Sequence, residues 1–296
     1  GIRGGFKGRK IEKLVRETEH LAGQGVKELV LIAQDSTQYG LDIYGEKRLP
    51  QLLTALNDVE GIEWIRLMYA YPYHLTDEMI DTVAHLEKVC TYIDMPVQHC
   101  SDKILKRMAR RVTARFQEEL IKRMRAGIPD LTLRTSLIVG FPGETENDFQ
   151  QLYDYVADGY FDRLGIFTYS HEDGTPAARF EDDVPEEVKR ERQDLLYQAQ
   201  ADVAEQKNKA LQDKEIRVLI DEFDTFGNKY IGRTKADAPE IDNIVMVPDA
   251  CKIGSFYQVR IKETSAFETT GEVISKEDKE ENASQIGIRL PIAQES

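Results

Sequence analysis

Cysteine is scarce in this chain: Cys90, Cys100 and Cys251 are the three in 296 residues. An odd number at such wide spacing builds no disulfide framework and no CxxC ligand pair, and it fits a reducing compartment. Buried or idle thiols are the ordinary reading of such residues. Long hydrophobic runs are also missing. The longest uncharged apolar runs, such as 30–33 (VLIA) and 137–141 (LIVGF), fall far short of the roughly 20 residues a membrane span needs. No signal-peptide pattern opens the chain, so a cytoplasmic protein with no membrane partner is expected. Positive charge is in deficit: 39 Lys and Arg against 53 Asp and Glu leave a net charge of −14. A protein that grips a nucleic-acid backbone carries the opposite sign, at least locally, whereas this one attracts cationic partners. Finally, no Ser/His/Asp set, zinc spacing or P-loop is present, so no catalytic residue is assigned.

What is present is an alternation of helical and strand periods. At 10–25, Ile11, Leu14, Val15, Thr18 and Leu21 share one helical face, and Gly23 and Gly25 end the helix. Short apolar strands are predicted within 26–35, 63–70, 91–98, 131–141 and 163–170, and helical patterns separate them. Thr76 is a predicted N-cap, and Thr145 with Asp148 forms a predicted capping box. This order predicts an α/β architecture, either a parallel sheet or a (βα) barrel, whose chemistry sits in loops at the carboxyl ends of the strands. A βα repeat begins with a strand, yet this one begins with the glycine-rich loop GIRGGFKGRK feeding a helix. The first strand and its loop are therefore expected upstream of Gly1.

Five polar, turn-rich loops fall on the predicted rim. Gln34 and Asp35 end the first strand, where they bind a ligand ammonium or form an Asx turn. Gln98 and His99 lie beyond the third; a lone histidine is more often structural than catalytic. Lys103, Lys106, Arg107, Arg110 and Arg111 form a solvated helix face or a phosphate clamp, with Ile104, Leu105 and Met108 facing the core. Arg134 and Ser136 alternate on the strand before SLIVGFPGETENDF, within reach of a carboxylate or sugar. Gly140 and Gly143 permit close backbone approach to a ligand. Glu144 accepts hydrogen bonds from a hydroxyl or amine, or complements the helix dipole. Tyr69, Tyr71 and Tyr73 read as rim packing.

After a long charged helix the texture changes near residue 213. Short strands at close intervals predict a small all-β barrel over 213–275. Residues 276–296 read as a polar, disordered tail. The barrel segment holds 12 Asp or Glu and 8 Lys or Arg, a net charge of −4.

In this order, VLIAQDSTQYG, MPVQHCSDKILKRM, LRTSLIVGFPGETENDF and FTYSHEDGTPAA resemble the radical-SAM methylthiotransferases. QHCSDKILKRMARR and KADAPEIDNIV resemble the RimO-type branch of that family. The resemblance implies a partial (βα) barrel of the radical-SAM type over 1–212 and a TRAM-like barrel over 213–275. It implies a transferase that adds a methylthio group to the β-carbon of an aspartate in small-subunit ribosomal protein S-twelve. Its cofactors are S-adenosyl-L-methionine and two 4Fe-4S clusters, and its further partners are sulfur and electron donors. It places Gln34 and Asp35 near the methionine amino group. Arg134, Ser136 and Glu144 fall near the carboxylate, ribose or adenine beside the Gly140 turn, and Gln98 and Tyr169 line the pocket. The family's CxxxCxxC loop and N-terminal domain are not in this chain, and Cys100 occupies the variable position of Q-H-x-S-D, so the chain alone is expected to be inactive. The acidic barrel suits a basic ribosomal protein. A tRNA methylthiotransferase, which needs a basic barrel, and a non-catalytic module that docks a ribosomal partner remain the alternatives.

Overall fold

The alternation of periods folds as the pattern dictates in the computed structural model, which describes residues 6–277 and 286–295. The chain opens with a three-residue strand, β1 (Phe6–Gly8), and the helix α1 (Ile11–Gly23). The apolar runs become β2 (Glu28–Ile32), β3 (Trp64–Leu67), β4 (Val89–Asp94), β5 (Thr132–Val139) and β6 (Arg163–Thr168). Between them lie α2 (Leu41–Tyr44), α3 (Leu49–Asn57), α4 (Asp77–His85), α5 (Asp102–Arg107), α6 (Ala114–Gly127) and α7 (Glu146–Ala157). The long helix α8 (Glu186–Lys209) follows. Thr76 caps α4 by accepting from the Met79 amide, and Thr145 and Asp148 form the capping box of α7.

One face of the sheet and the helices share the main core. Leu29, Leu31, Ile65, Leu67, Ile93, Leu133, Leu137 and Val139 alternate onto that face and meet Leu52 and Leu53 of α3, Met124 of α6, Leu152 of α7 and Leu196 of α8. Each such fully buried side chain contributes about 2 kcal/mol through area removed from water. On α1, Leu14 and Thr18 are buried, and Ile11, Val15 and Leu21 pack at the core margin.

The other face carries Glu28, Arg66, Tyr92, Asp94, Arg134, Ser136 and Arg163, a polar set that a strand period of two puts on one side. A second domain docks against its lower half. Strands β7 (Glu215–Asp224), β8 (Lys229–Arg233), β9 (Ile244–Val247), β10 (Phe256–Thr264) and β11 (Glu268–Lys276) close into a barrel in the order β10-β11-β9-β8-β7. Val218, Ile220, Val245, Val247, Val259 and Ile261 fill it. Trp64 of β3 meets Phe256 of β10 edge-on at 4.9 Å, and Arg66 donates to the Lys235 carbonyl at 2.8 Å, so the interface is part apolar and part ionic.

Two features differ from the sequence expectation. The predicted disordered tail supplies β12 (Gly287–Pro291) and β13 (Ala293–Glu295) within its described residues. Strand β12 pairs in parallel with β2, giving an open six-stranded parallel sheet of order β12-β2-β3-β4-β5-β6. The alternation of Ile288, Leu290 and Ile292, the last two buried and the first at the core margin, is the apolar signal that the charged residues before it obscure. The opening loop also contains a strand, because β1 pairs with β13. No helix among the described residues is long and apolar enough to cross a membrane.

Candidate functional site

The upper half of the polar face opens into a cavity of about 720 Å³ at the carboxyl ends of the strands. Gln34, Gln98, Arg134, Ser136 and Tyr169, all singled out from the sequence, line it. They come from four strands or the turns that follow them, and parallel pairing brings these ends together. Ile138 and Phe141 add an apolar wall, and Tyr69, Tyr71, Arg110 and Phe167 stand round the mouth.

The lining has the marks of a ligand site. Gln98 sits at φ 71°, a left-handed conformation that costs a non-glycine residue roughly 1 kcal/mol or more. It is held there by its amide donating to the Ser136 carbonyl at 2.9 Å and its carbonyl accepting from Ile138 at 2.9 Å. Tyr69 is at φ 58°, and its amide donates to Asp94 at 3.2 Å. The Tyr169 hydroxyl is buried without a hydrogen-bond partner among the described residues. Burial raises the Tyr169 phenol above its ordinary value, so it presents an O–H donor. Arg134 donates through Nη1 to Asp94 at 2.9 Å and lies 3.4 Å from Asp242 of the barrel domain. Burial holds the carboxyls of both aspartates above their ordinary value, against the pull of Arg134 on Asp94 and of the Tyr92 and Ala238 hydrogen bonds and Arg134 on Asp242.

Asp35, Gly140 and Glu144 stand outside the lining. Asp35 caps the turn after β2: it accepts from the Thr37 amide at 3.0 Å, Gln38 at 2.8 Å and the His74 ring at 2.7 Å. Glu144 is fully buried and joins three elements. It accepts two bonds from the Gly140 amide at 3.0 and 3.1 Å and one from Arg192 of α8 at 2.7 Å. His99 completes the set at 3.2 Å from Glu144. Nδ1 of His99 accepts from the Cys100 and Ser101 amides, so its proton lies on Nε2, facing Glu144. Gly140, at φ 70°, faces Lys189: a Cβ there would sit 2.2 Å from that side chain. These residues brace the turn beneath the cavity.

The basic helix face is largely engaged. Lys103 pairs with Asp148 at 2.7 Å, Arg107 donates to the Pro142 carbonyl at 2.9 Å, and Arg110 lies over the Tyr71 ring. Hydrogen bonds from Lys103, Ser101 and Thr145 outweigh the burial of Asp148 and hold its carboxyl below the usual range.

A radical SAM superfamily model matches residues 1–156, over half of the chain. The chain belongs to the radical SAM superfamily. A TRAM domain model matches 214–274, the closed barrel. The chain is 46% identical over 280 residues to "Ribosomal protein uS12 methylthiotransferase RimO" of Acetivibrio thermocellus, covering 94% of this chain and 62% of that protein. It is 47% identical over 275 residues to the protein of the same name from Desulfitobacterium hafniense, covering 92% and 62%. The chain thus spans about 62% of the length of these relatives. Among solved structures, coproporphyrinogen III oxidase (HemN) of Escherichia coli, a radical SAM enzyme, superposes with a TM-score of 0.51 at 16% identity, over 84% of this chain and 59% of that one. That likeness concerns the fold.

The radical SAM core fits S-adenosylmethionine better than it fits a cluster. The side chains of Gln34, Gln98 and Ser136 bind no other group among the described residues, and together with the orphaned Tyr169 hydroxyl they offer polar contacts beside the apolar Ile138 and Phe141. By contrast, no group of three or more Cys, His, Asp or Glu among the described residues is placed to hold a metal ion. Burial pushes the thiols of Cys90, Cys100 and Cys251 up to about 11, 12 and 11, so they stay protonated near neutral pH. The ties of Arg134 to Asp94 and Asp242 escaped sequence reasoning; Asp242 lies within KADAPEIDNIV, but nothing in the spacing pairs it with a residue 108 positions earlier.

Proposed function

We propose that this chain is the radical SAM core and TRAM-like barrel of a methylthiotransferase acting on the β-carbon of an aspartate in ribosomal protein uS12. The observation that carries the reading is the identity of 46–47% over nine tenths of the chain to proteins of that name, on a core whose cavity holds free polar groups at the strand ends. The core spans 1–212 and the barrel 213–275. S-adenosylmethionine, when bound, supplies radical chemistry at unactivated C–H bonds. Gln34 and Gln98 contact the methionine end, Ser136 and Arg134 the carboxylate or ribose, and Tyr169 donates a hydrogen bond from the apolar wall. Asp35, Gly140 and Glu144 act on the ligand indirectly, by fixing the turns that carry these groups. Two 4Fe-4S clusters, sulfur and electron donors and a cytoplasmic setting complete the reading.

The barrel's net charge of −4 supports a strongly basic protein partner over tRNA. The test is a titration of this chain with purified uS12 and, separately, with tRNA, at rising salt. Binding to uS12 that weakens with salt, and none to tRNA, is expected. Preference for tRNA overturns the choice of substrate.

A further inference from the structure

Segment 234–243 joins β8 to β9 and crosses the polar face of the core sheet. Three core arginines, on β3, β5 and β6, receive it. Arg66 donates to the Lys235 carbonyl, Arg163 donates two bonds to Asp237 at 2.6 and 2.9 Å, and Arg134 lies 3.4 Å from Asp242. The Asp242 side chain is 2% exposed, and its other oxygen accepts from the Tyr92 hydroxyl at 2.6 Å and the Ala238 amide at 2.9 Å. Ile241 next to it lines the cavity, although it is half exposed. The segment therefore closes the floor of a cavity that the open sheet leaves unwalled.

Of the three arginines, Arg134 alone reaches the cavity. Its guanidinium is bracketed, with Asp94 of β4 on one side and Asp242 on the other. Removing the Asp242 charge leaves Asp94 as the sole carboxylate, and the guanidinium then turns toward it. We propose that Asp242 is a positioning residue: the barrel domain, through this carboxylate, sets the place of Arg134 at the cavity floor and so the affinity of the radical SAM core for its ligand. This rests on the reading of Arg134 as a contact to S-adenosylmethionine. It gives the barrel a part in the cavity besides partner binding.

The test titrates S-adenosylmethionine into the full-length, cluster-reconstituted enzyme by calorimetry, with thermal unfolding of each variant alongside. Asp242→Asn preserves size and keeps an acceptor for Tyr92. It is expected to weaken binding about tenfold, the scale of one displaced charge-assisted contact. Arg134→Gln weakens binding as well, and the double variant binds no more weakly than Arg134→Gln alone, because both changes act on one contact. Asp237→Asn, which loosens the same segment at Arg163, lowers the Tm but leaves affinity within about twofold. Asp242→Asn binding like the parent while Arg134→Gln is weakened overturns the proposal, and so does an equal loss in Asp237→Asn. If Arg134→Gln itself binds like the parent, the reading of Arg134 as a ligand contact fails, and the proposal fails with it.

Discussion

At the scale of single residues, Glu144 separates what the sequence announces from what it conceals. Its position after a glycine turn at a helix start reads as a ligand contact, yet its carboxylate is spent on Gly140, His99 and Arg192. Arg192 lies 48 residues away on a helix whose pattern is that of a solvated stretch, so no local period reveals the pair. Glu144→Ala leaves the Arg192 guanidinium buried with a partner lost; a stability loss of about 3 kcal/mol in denaturant unfolding is expected. A change of less than about 0.5 kcal/mol would place Glu144 outside the framework. Asp221 offers a prediction in pH. Burial raises its carboxyl from 3.8 to about 6, against the pull of Arg233. A raised folded pKa means that its contribution is full below 3.8 and is lost as pH rises through about 6. The stability of the parent relative to Asp221→Asn is therefore expected to fall across that window by on the order of 2 kcal/mol, discounted for partial exposure. A difference that stays flat with pH contradicts this.

At the scale of elements, the five core strands, the helices between them and the barrel strands are legible because each carries its period in contiguous residues. The capping box of α7 is legible for the same reason, since Thr145 and Asp148 are three apart. Strand β12 is not, because its three alternating apolar residues follow a charged stretch and its neighbour β2 lies some 260 residues earlier in the chain. Nor is the docking of 234–243, where isolated polar residues meet partners on distant strands. Of the candidate site, Gln34, Gln98, Arg134 and Ser136 were legible as polar residues on or just beyond parallel strands, and Tyr169 through the family resemblance; their bracing was not. Strand β12 covers the outer edge of β2, with the Ile286 carbonyl accepting from the Lys27 and Glu28 amides. Removing residues 286–296 exposes that edge. Amide exchange across residues 27–32 is expected to accelerate by about tenfold or more, and unchanged protection contradicts the pairing.

At the scale of the whole molecule, the charge balance acts in two places. Part of the barrel's acidity is internal: Asp237 and Asp242 face core arginines, and Asp221 faces Arg233. The Asp237 and Asp242 pairs hold barrel and core together over the sheet's polar face, the Asp221 pair lies within the barrel, and the net charge of −14 remains to draw a basic partner. The proposed assignment thus joins a ligand cavity with a barrel as its floor to an acidic exterior. The most direct measurement offers uS12 and tRNA together to the full-length, cluster-reconstituted enzyme with S-adenosylmethionine, a sulfur source and a reductant, followed by mass spectrometry of both. The account predicts one methylthio group on an aspartate of uS12 and unmodified tRNA. Methylthiolated tRNA beside unmodified uS12 would contradict it.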